Sequence, residues 1–235
     1  MNFLDLQKSK IKKIQGPALR DSKGFTRTLS SKVSGFTIIE LLVVMFIFGV
    51  ISSLVIFNYG SFQSDVSVEN LAQDIGLTIR RAQVYSVGTK GIDTGTNTIF
   101  PSYGIHFSIP TGLAVAGNER AFVFFADVPP IVVPAEYDYS SSTCPNIVTS
   151  GDECMEIINI TSSDKIVEIC DGDTSVCYPT ASLDIVFTRP NTEANFCFKS
   201  GGACSNPSNV ILKVQSINGR EKSINIWQSG QINVQ

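Results

Sequence analysis

One carboxylate, Glu40, stands alone in an apolar run that reaches from Phe36 to Phe57. A charged side chain in such a segment costs about 2.5–3.5 kcal/mol at the centre of a membrane helix and less near its edge. A group placed there needs a partner. Thr37, three residues earlier, supplies a local one: Thr-x-x-Glu is a capping box, in which each residue bonds the other's backbone N–H. Gly35 just upstream has no side chain and starts a helix poorly, which suits a backbone that a protease must grip in extended form.

Elsewhere the chemistry is sparse. His106 is the single histidine, and no G-x-S-x-G, H-E-x-x-H or Gly-rich phosphate loop is present. No catalytic residue is expected; a surface enzyme would need a polar cluster around His106. Six cysteines (Cys144, Cys154, Cys170, Cys177, Cys197, Cys204) follow the apolar run. An even count in an exported domain favours disulfides, with fifteen pairings open to six cysteines. The expectation is sequential pairing, each bond closing a short turn-rich loop: Cys144–Cys154, Cys170–Cys177 and Cys197–Cys204. Without a C-x-x-C pair, no zinc site is expected. Asp171-Gly172-Asp173, with Glu168 and Asp164 upstream, offers oxygens to calcium but lacks the twelve-residue loop and its terminal glutamate, so a solvated acidic turn is expected. No metal or other cofactor is expected.

The elements that hold these residues read as follows. Residues 36–57 number 22 and as a helix would span about 33 Å, enough for a hydrocarbon core of about 30 Å. Gly49 and Ser53 form a small-xxx-small pair that lets helices approach. Val68, Leu71, Ala72, Ile75, Ile79 and Ala82 then recur at steps of three and four, an amphipathic stripe. No proline intervenes before Phe100, so one helix is expected from 36 to 87, weakest at Asn58-Tyr59-Gly60 and stopped at Gly88. After Lys90 the period drops to two. Strands are expected at 103–109, 121–127, 155–160, 165–170, 183–188, 194–199, 209–216, 223–228 and 231–234, with Asn218-Gly219 marking a hairpin. The fold class is α+β: a long N-terminal helix, membrane-spanning then amphipathic, packed on an antiparallel β-rich domain. The segment from Cys144 to Cys177 reads as an insertion with its own loop structure.

Charge orients the chain. Residues 1–35 carry eight Lys/Arg against Asp5 and Asp21, giving +6, and the remainder carries ten against nineteen acids, giving −9. Basic residues before a single span place the N-terminus in the cytoplasm and the rest outside. A charge of −9 with scattered cations opposes nucleic-acid binding. Arg220 and Lys222, the close basic pair outside the helix, are expected to flank a solvated turn. The stretch 3–14 is basic and amphipathic, though a leader without fold is the expectation for 1–35.

Gly35-Phe36-Thr37-Ile38-Ile39-Glu40-Leu41-Leu42-Val43-Val44 behind a basic leader resembles the class III signal of type IV pilins and type II secretion pseudopilins. The resemblance implies cleavage between Gly35 and Phe36 by a prepilin peptidase and N-methylation of Phe36. It gives Glu40 a further role. The amine freed on Phe36 meets the Glu40 carboxylate of a neighbouring subunit, and the pair sets the register of a fibre. The strand-rich tail, with paired strands around Gly230, resembles minor pseudopilins of the GspH/FimT type. It departs from them at Arg189-Pro190-Asn191, where a glycine is usual, and in its extra cysteines.

The expected organisation is a leader (1–35), a transmembrane and assembly half-helix (36–57), an amphipathic half (58–88) and a disulfide-bonded extracytoplasmic domain (89–235). The expected function is a structural subunit, not an enzyme, in a pilus or pseudopilus, with a minor role. Implied partners are the prepilin peptidase, other pilin or pseudopilin subunits, an inner-membrane platform protein and an assembly ATPase. The alternative is a membrane-anchored β-rich binding module that does not polymerise.

Overall fold

The computed structural model describes residues 35–93, 97–110, 116–128, 137, 143–145 and 153–235. The basic stretch 3–14 and the turn formers at 111–112, 129–130 and 140–142 lie outside the described residues. The chain divides into two compact units, the first ending at Phe48 and the second beginning at Gly49. In the first, residues 35–37 are irregular and the helix has begun.

That helix, α1, runs without interruption over Ile38–Val87, 50 residues. Gly60, the expected weak point, is absorbed: its carbonyl accepts from the Ser64 hydroxyl at 3.0 Å. The stop falls where Gly88 placed it, but glycine is not the left-handed residue. Thr89 takes φ +50°, with Thr89 N–H donating to Ser86 O and Lys90 N–H to Tyr85 O at 3.1 Å, the two bonds of a Schellman cap. Gly88 is needed for space, since a Cβ there would lie 2.8 Å from the Val84 carbonyl oxygen.

Within the second unit, twelve strands follow the helix among the described residues. β1 (Ile92–Asp93) and β2 (Thr98–Ile99) make a small ribbon. The others are β3 (Ser102–Ser108), β4 (Ala121–Asp127), β5 (Cys154–Asn159), β6 (Lys165–Asp171), β7 (Val176–Tyr178), β8 (Ser182–Phe187), β9 (Ala194–Lys199), β10 (Asn209–Gln215), β11 (Glu221–Trp227) and β12 (Ile232–Val234). They form two five-stranded sheets ordered β5-β4-β3-β8-β9 and β12-β11-β10-β6-β7. Every pairing is antiparallel. β1, β2 and β7 were not expected; each has two or three residues, too few for a period to show.

The expected insertion at 144–177 is corrected. β5 and β6 lie inside it, and each is a full sheet member, β5 on β4 and β6 on β10. The alternating apolar residues of both strands find a buried face there, which a separate loop structure would not supply.

One core joins the parts. The stripe Val68, Leu71, Ala72, Ile75, Ile79 and Ala82 is buried against Tyr103, Phe107, Phe124 and Phe187 of one sheet and Leu212, Val214 and Ile224 of the other. Fully burying a Leu, Ile or Phe contributes about 1.5–3 kcal/mol, so the outer half of α1 is a main source of the unit's stability. Behind the first sheet a smaller cluster gathers Val123, Phe125, Val186, Tyr137 and Cys154. The three disulfides are Cys144–Cys154, Cys170–Cys177 and Cys197–Cys204, separated by 10, 7 and 7 residues.

Candidate processing and assembly segment

Local sequence sets the geometry around the junction of Gly35 and Phe36. Gly35 has open space around it, and Phe36 is 84% exposed. Both are irregular, and the first helical residue is Ile38. Thr37 is the N-cap: its carbonyl accepts from Glu40 N–H at 3.1 Å and Leu41 N–H at 3.2 Å, and its hydroxyl accepts from Glu40 N–H at 3.3 Å. The capping box is half made. The Thr37 side chain caps, but among the described residues no bond returns from the Glu40 carboxylate, which points to solvent without a partner. Ahead of the cap lies an irregular, exposed backbone at a residue with no side chain.

Beyond the cap the helix is apolar and bare. Ile38–Phe57 is long and apolar enough to cross a membrane, with none of it buried in the chain itself. Gly49 likewise has nothing within 4 Å, so a helix from elsewhere can approach it closely.

The family model for the prokaryotic N-terminal methylation motif matches residues 30–56. The chain carries a prepilin-type signal of the type IV pilin and pseudopilin class. No curated protein and no solved structure is similar to the chain. The match covers Gly35, Phe36, Thr37, Glu40 and nearly all of the apolar run, and stops well before the first strand. The prepilin-type signal fits an N-terminal membrane anchor built from one apolar helix.

The remaining candidate residues lie away from this signal. His106 on β3 faces Asp184 on β8, its cross-strand neighbour, with Nδ1 and the carboxylate 2.5 Å apart. Its Nε2 sits 3.0 Å from the Ala116 carbonyl oxygen, and the ring lies 5.0 Å from that of Tyr137. A polar cluster does surround His106. Both ring nitrogens face protein oxygens, the residue is buried, and among the described residues no nucleophile meets either nitrogen.

The carboxylates weighed for calcium are dispersed among protein donors. Ser67 Oγ donates to buried Asp164 at 2.5 Å, and Lys213 Nζ lies 2.9 Å from Glu168. Asp171 accepts from the N–H groups of Asp173 and Thr174 in its own turn. Asp173 accepts from the Ser208 hydroxyl and from Ser208 N–H at 2.8 Å. The Ser208 hydroxyl and then its N–H hold the Asp173 carboxyl below the usual range.

Arg220 and Lys222 flank an exposed turn, as expected, but both also reach α1. Arg220 Nε lies 3.3 Å from Asp65 and Lys222 Nζ 2.7 Å from Glu69, tying the start of β11 to α1. The hydrogen bond from Lys222, then that from Gln73, lowers the Glu69 carboxyl below its ordinary value. A signal for this was in the spacing. Four helical residues rise about 6 Å and two strand residues about 6.6 Å, so Asp65/Glu69 on a helix match Arg220/Lys222 on a strand running alongside.

Proposed function

We propose that this chain is a prepilin-like structural subunit. It is cut between Gly35 and Phe36, N-methylated at Phe36, and assembled through its apolar half-helix into a type IV pilus or type II secretion pseudopilus, with a minor role. The observation that carries this is the methylation motif at 30–56, with Gly35 and Phe36 exposed ahead of a capped helix. The prepilin peptidase, an inner-membrane platform protein, an assembly ATPase and other pilin or pseudopilin subunits are its partners in this reading. The N-terminus lies in the cytoplasm and the β-rich domain outside, in keeping with the basic leader.

Glu40 is the assembly residue. Its unpartnered carboxylate receives the Phe36 amine of a neighbouring subunit in the apolar interior of the fibre. A buried charge is tolerable when paired and very costly alone, so the pair fixes the register at which subunits dock. Mass spectrometry of the mature N-terminus tests the proposal. A methylated Phe36 is the expected result. An intact N-terminus ahead of Gly35 overturns it and leaves a membrane-anchored binding module.

A further inference from the structure

We infer that the end of the β-rich unit nearest the membrane-spanning segment is a lipid-contact surface, with Ile217 at the tip of the β10–β11 hairpin as its apolar contact. This rests on the reading of Ile38–Phe57 as a membrane span.

Two turns meet α1 just past that span. The hairpin turn touches the helix through Asn218, whose Nδ2 donates to Ser64 Oγ at 2.5 Å, and Arg220, whose Nη2 lies 3.5 Å from Ser61 Oγ. The β5–β6 turn joins at Asp164 on Ser67. Arg120, just ahead of β4, donates to the Ser163 carbonyl of the β5–β6 turn at 3.4 Å. Ser61 and Ser64 stand four and seven residues beyond Phe57, so about 6 and 10 Å further along the helix. The headgroup layer on each side of a hydrocarbon core is about 5–7 Å thick. The hairpin turn therefore lies at the outer edge of the headgroup region whenever the span is in a bilayer.

The composition of this end suits that position. Ile217 is 74% exposed, with nothing in its own turn to cover it. From Asn58 to Ser64 the helix carries no charge and presents exposed Tyr59 and Phe62, aromatic residues of the kind that sit at membrane interfaces. The cleft between the hairpin and β5–β6 turns, about 470 Å³, is lined by Ser64, Ser67, Ser162, Ser163 and Asn218, and its one carboxylate, Asp164, is buried. Residues 36–235 carry −9 in all, yet this end offers hydroxyls, an amide and the exposed Arg120 guanidinium to lipid phosphates, while its Asp65 and Glu119 are paired with Arg220 and Lys165. The opposite end of the sheet is different. β6 and β10 run side by side from Lys165↔Gln215 to Asp171↔Val210, and the far turn carries Asp171 and Asp173.

The full-length precursor is reconstituted in phosphatidylcholine vesicles carrying nitroxide-labelled lipid. An environment-sensitive fluorophore is attached at Ile217→Cys, Val176→Cys or Ile51→Cys. All three positions are exposed, and the disulfides leave no other thiol among the described residues. Ile51 reports the span. Val176 follows the far end of β6, about 20 Å away along seven residues of strand. The expected result is quenching of Ile51→Cys by deep acyl-chain nitroxides. Ile217→Cys is quenched by headgroup nitroxides several-fold more than Val176→Cys, with a blue-shifted emission. Equal, weak quenching at 217 and 176 with Ile51→Cys quenched overturns the inference and leaves the span standing. Shielding of Ile217→Cys only in assembled fibres overturns it in favour of a subunit contact. No quenching at Ile51→Cys overturns both the span and the inference.

Discussion

At the scale of single residues, the decisive positions differ in how they make themselves visible. Glu40 is conspicuous because its surroundings make a charge expensive. Glu40→Val should leave the precursor clipped at Gly35 while incorporation into sheared fibres collapses, measured by immunoblot of cell and fibre fractions. An amine left unpaired in the fibre interior costs about 3–5 kcal/mol, enough to deplete the variant strongly. Asp65, Glu69, Arg220 and Lys222 were all in plain view, but pairing them needs knowledge of which strand runs beside which helix. Only the structure supplies that. The Glu69 carboxyl is lowered by Lys222, so its contribution is complete above the ordinary carboxylate range and disappears as pH falls through the lowered value. Lys222→Met should reduce stability at pH 7 by no more than about 1 kcal/mol, as exposed pairs do. It should also flatten the loss on acidification, measured by urea midpoints at pH 7 and pH 3. His106 shows the converse: its lone occurrence drew attention, and the structure puts it in a buried pair with Asp184.

At the scale of elements, long periods were readable and short ones were not. The α1 stripe from Val68 to Ala82 emerged from steps of three and four, and all six residues are buried. The eight strands of six or seven residues fell within a residue or two of their expected bounds, because alternation over that length is hard to imitate by chance; three-residue β12 was marked by the Ser229-Gly230 turn ahead of it. β7 was hidden because it has three residues and its identity comes from pairing Cys177 with Cys170. Gly104 carries no local signal of its importance, since what matters is what lies across the sheet from it. A Cβ there would lie 2.6 Å from Phe125 Cζ and 2.8 Å from the Ile185 carbonyl oxygen. Gly104→Ala should therefore destabilise by about 1–3 kcal/mol through overpacking, read as a lowered Tm. The Cys170→Ser/Cys177→Ser double variant should lose about 2–3 kcal/mol, the chain-entropy value for so short a loop.

At the scale of the molecule, the β-rich unit cannot be separated from the outer half of α1. A fragment beginning at residue 58 retains Ser61, Ser64, Asp65, Glu69 and the whole buried stripe, and should give cooperative thermal unfolding. One beginning at residue 88 loses six core side chains and should be aggregated or unfolded by circular dichroism. The membrane half was legible from composition alone; the double-sheet arrangement was not, because strand order is a long-range property that no local pattern encodes. The cysteine bonds illustrate the distinction from the other side. Each joins thiols only 7 or 10 residues apart, and a chain brings such neighbours together in about 10–100 ns, long before distant strands find one another. Every thiol thus meets its final mate first. Oxidation during export would then need no isomerase to reshuffle wrong bridges.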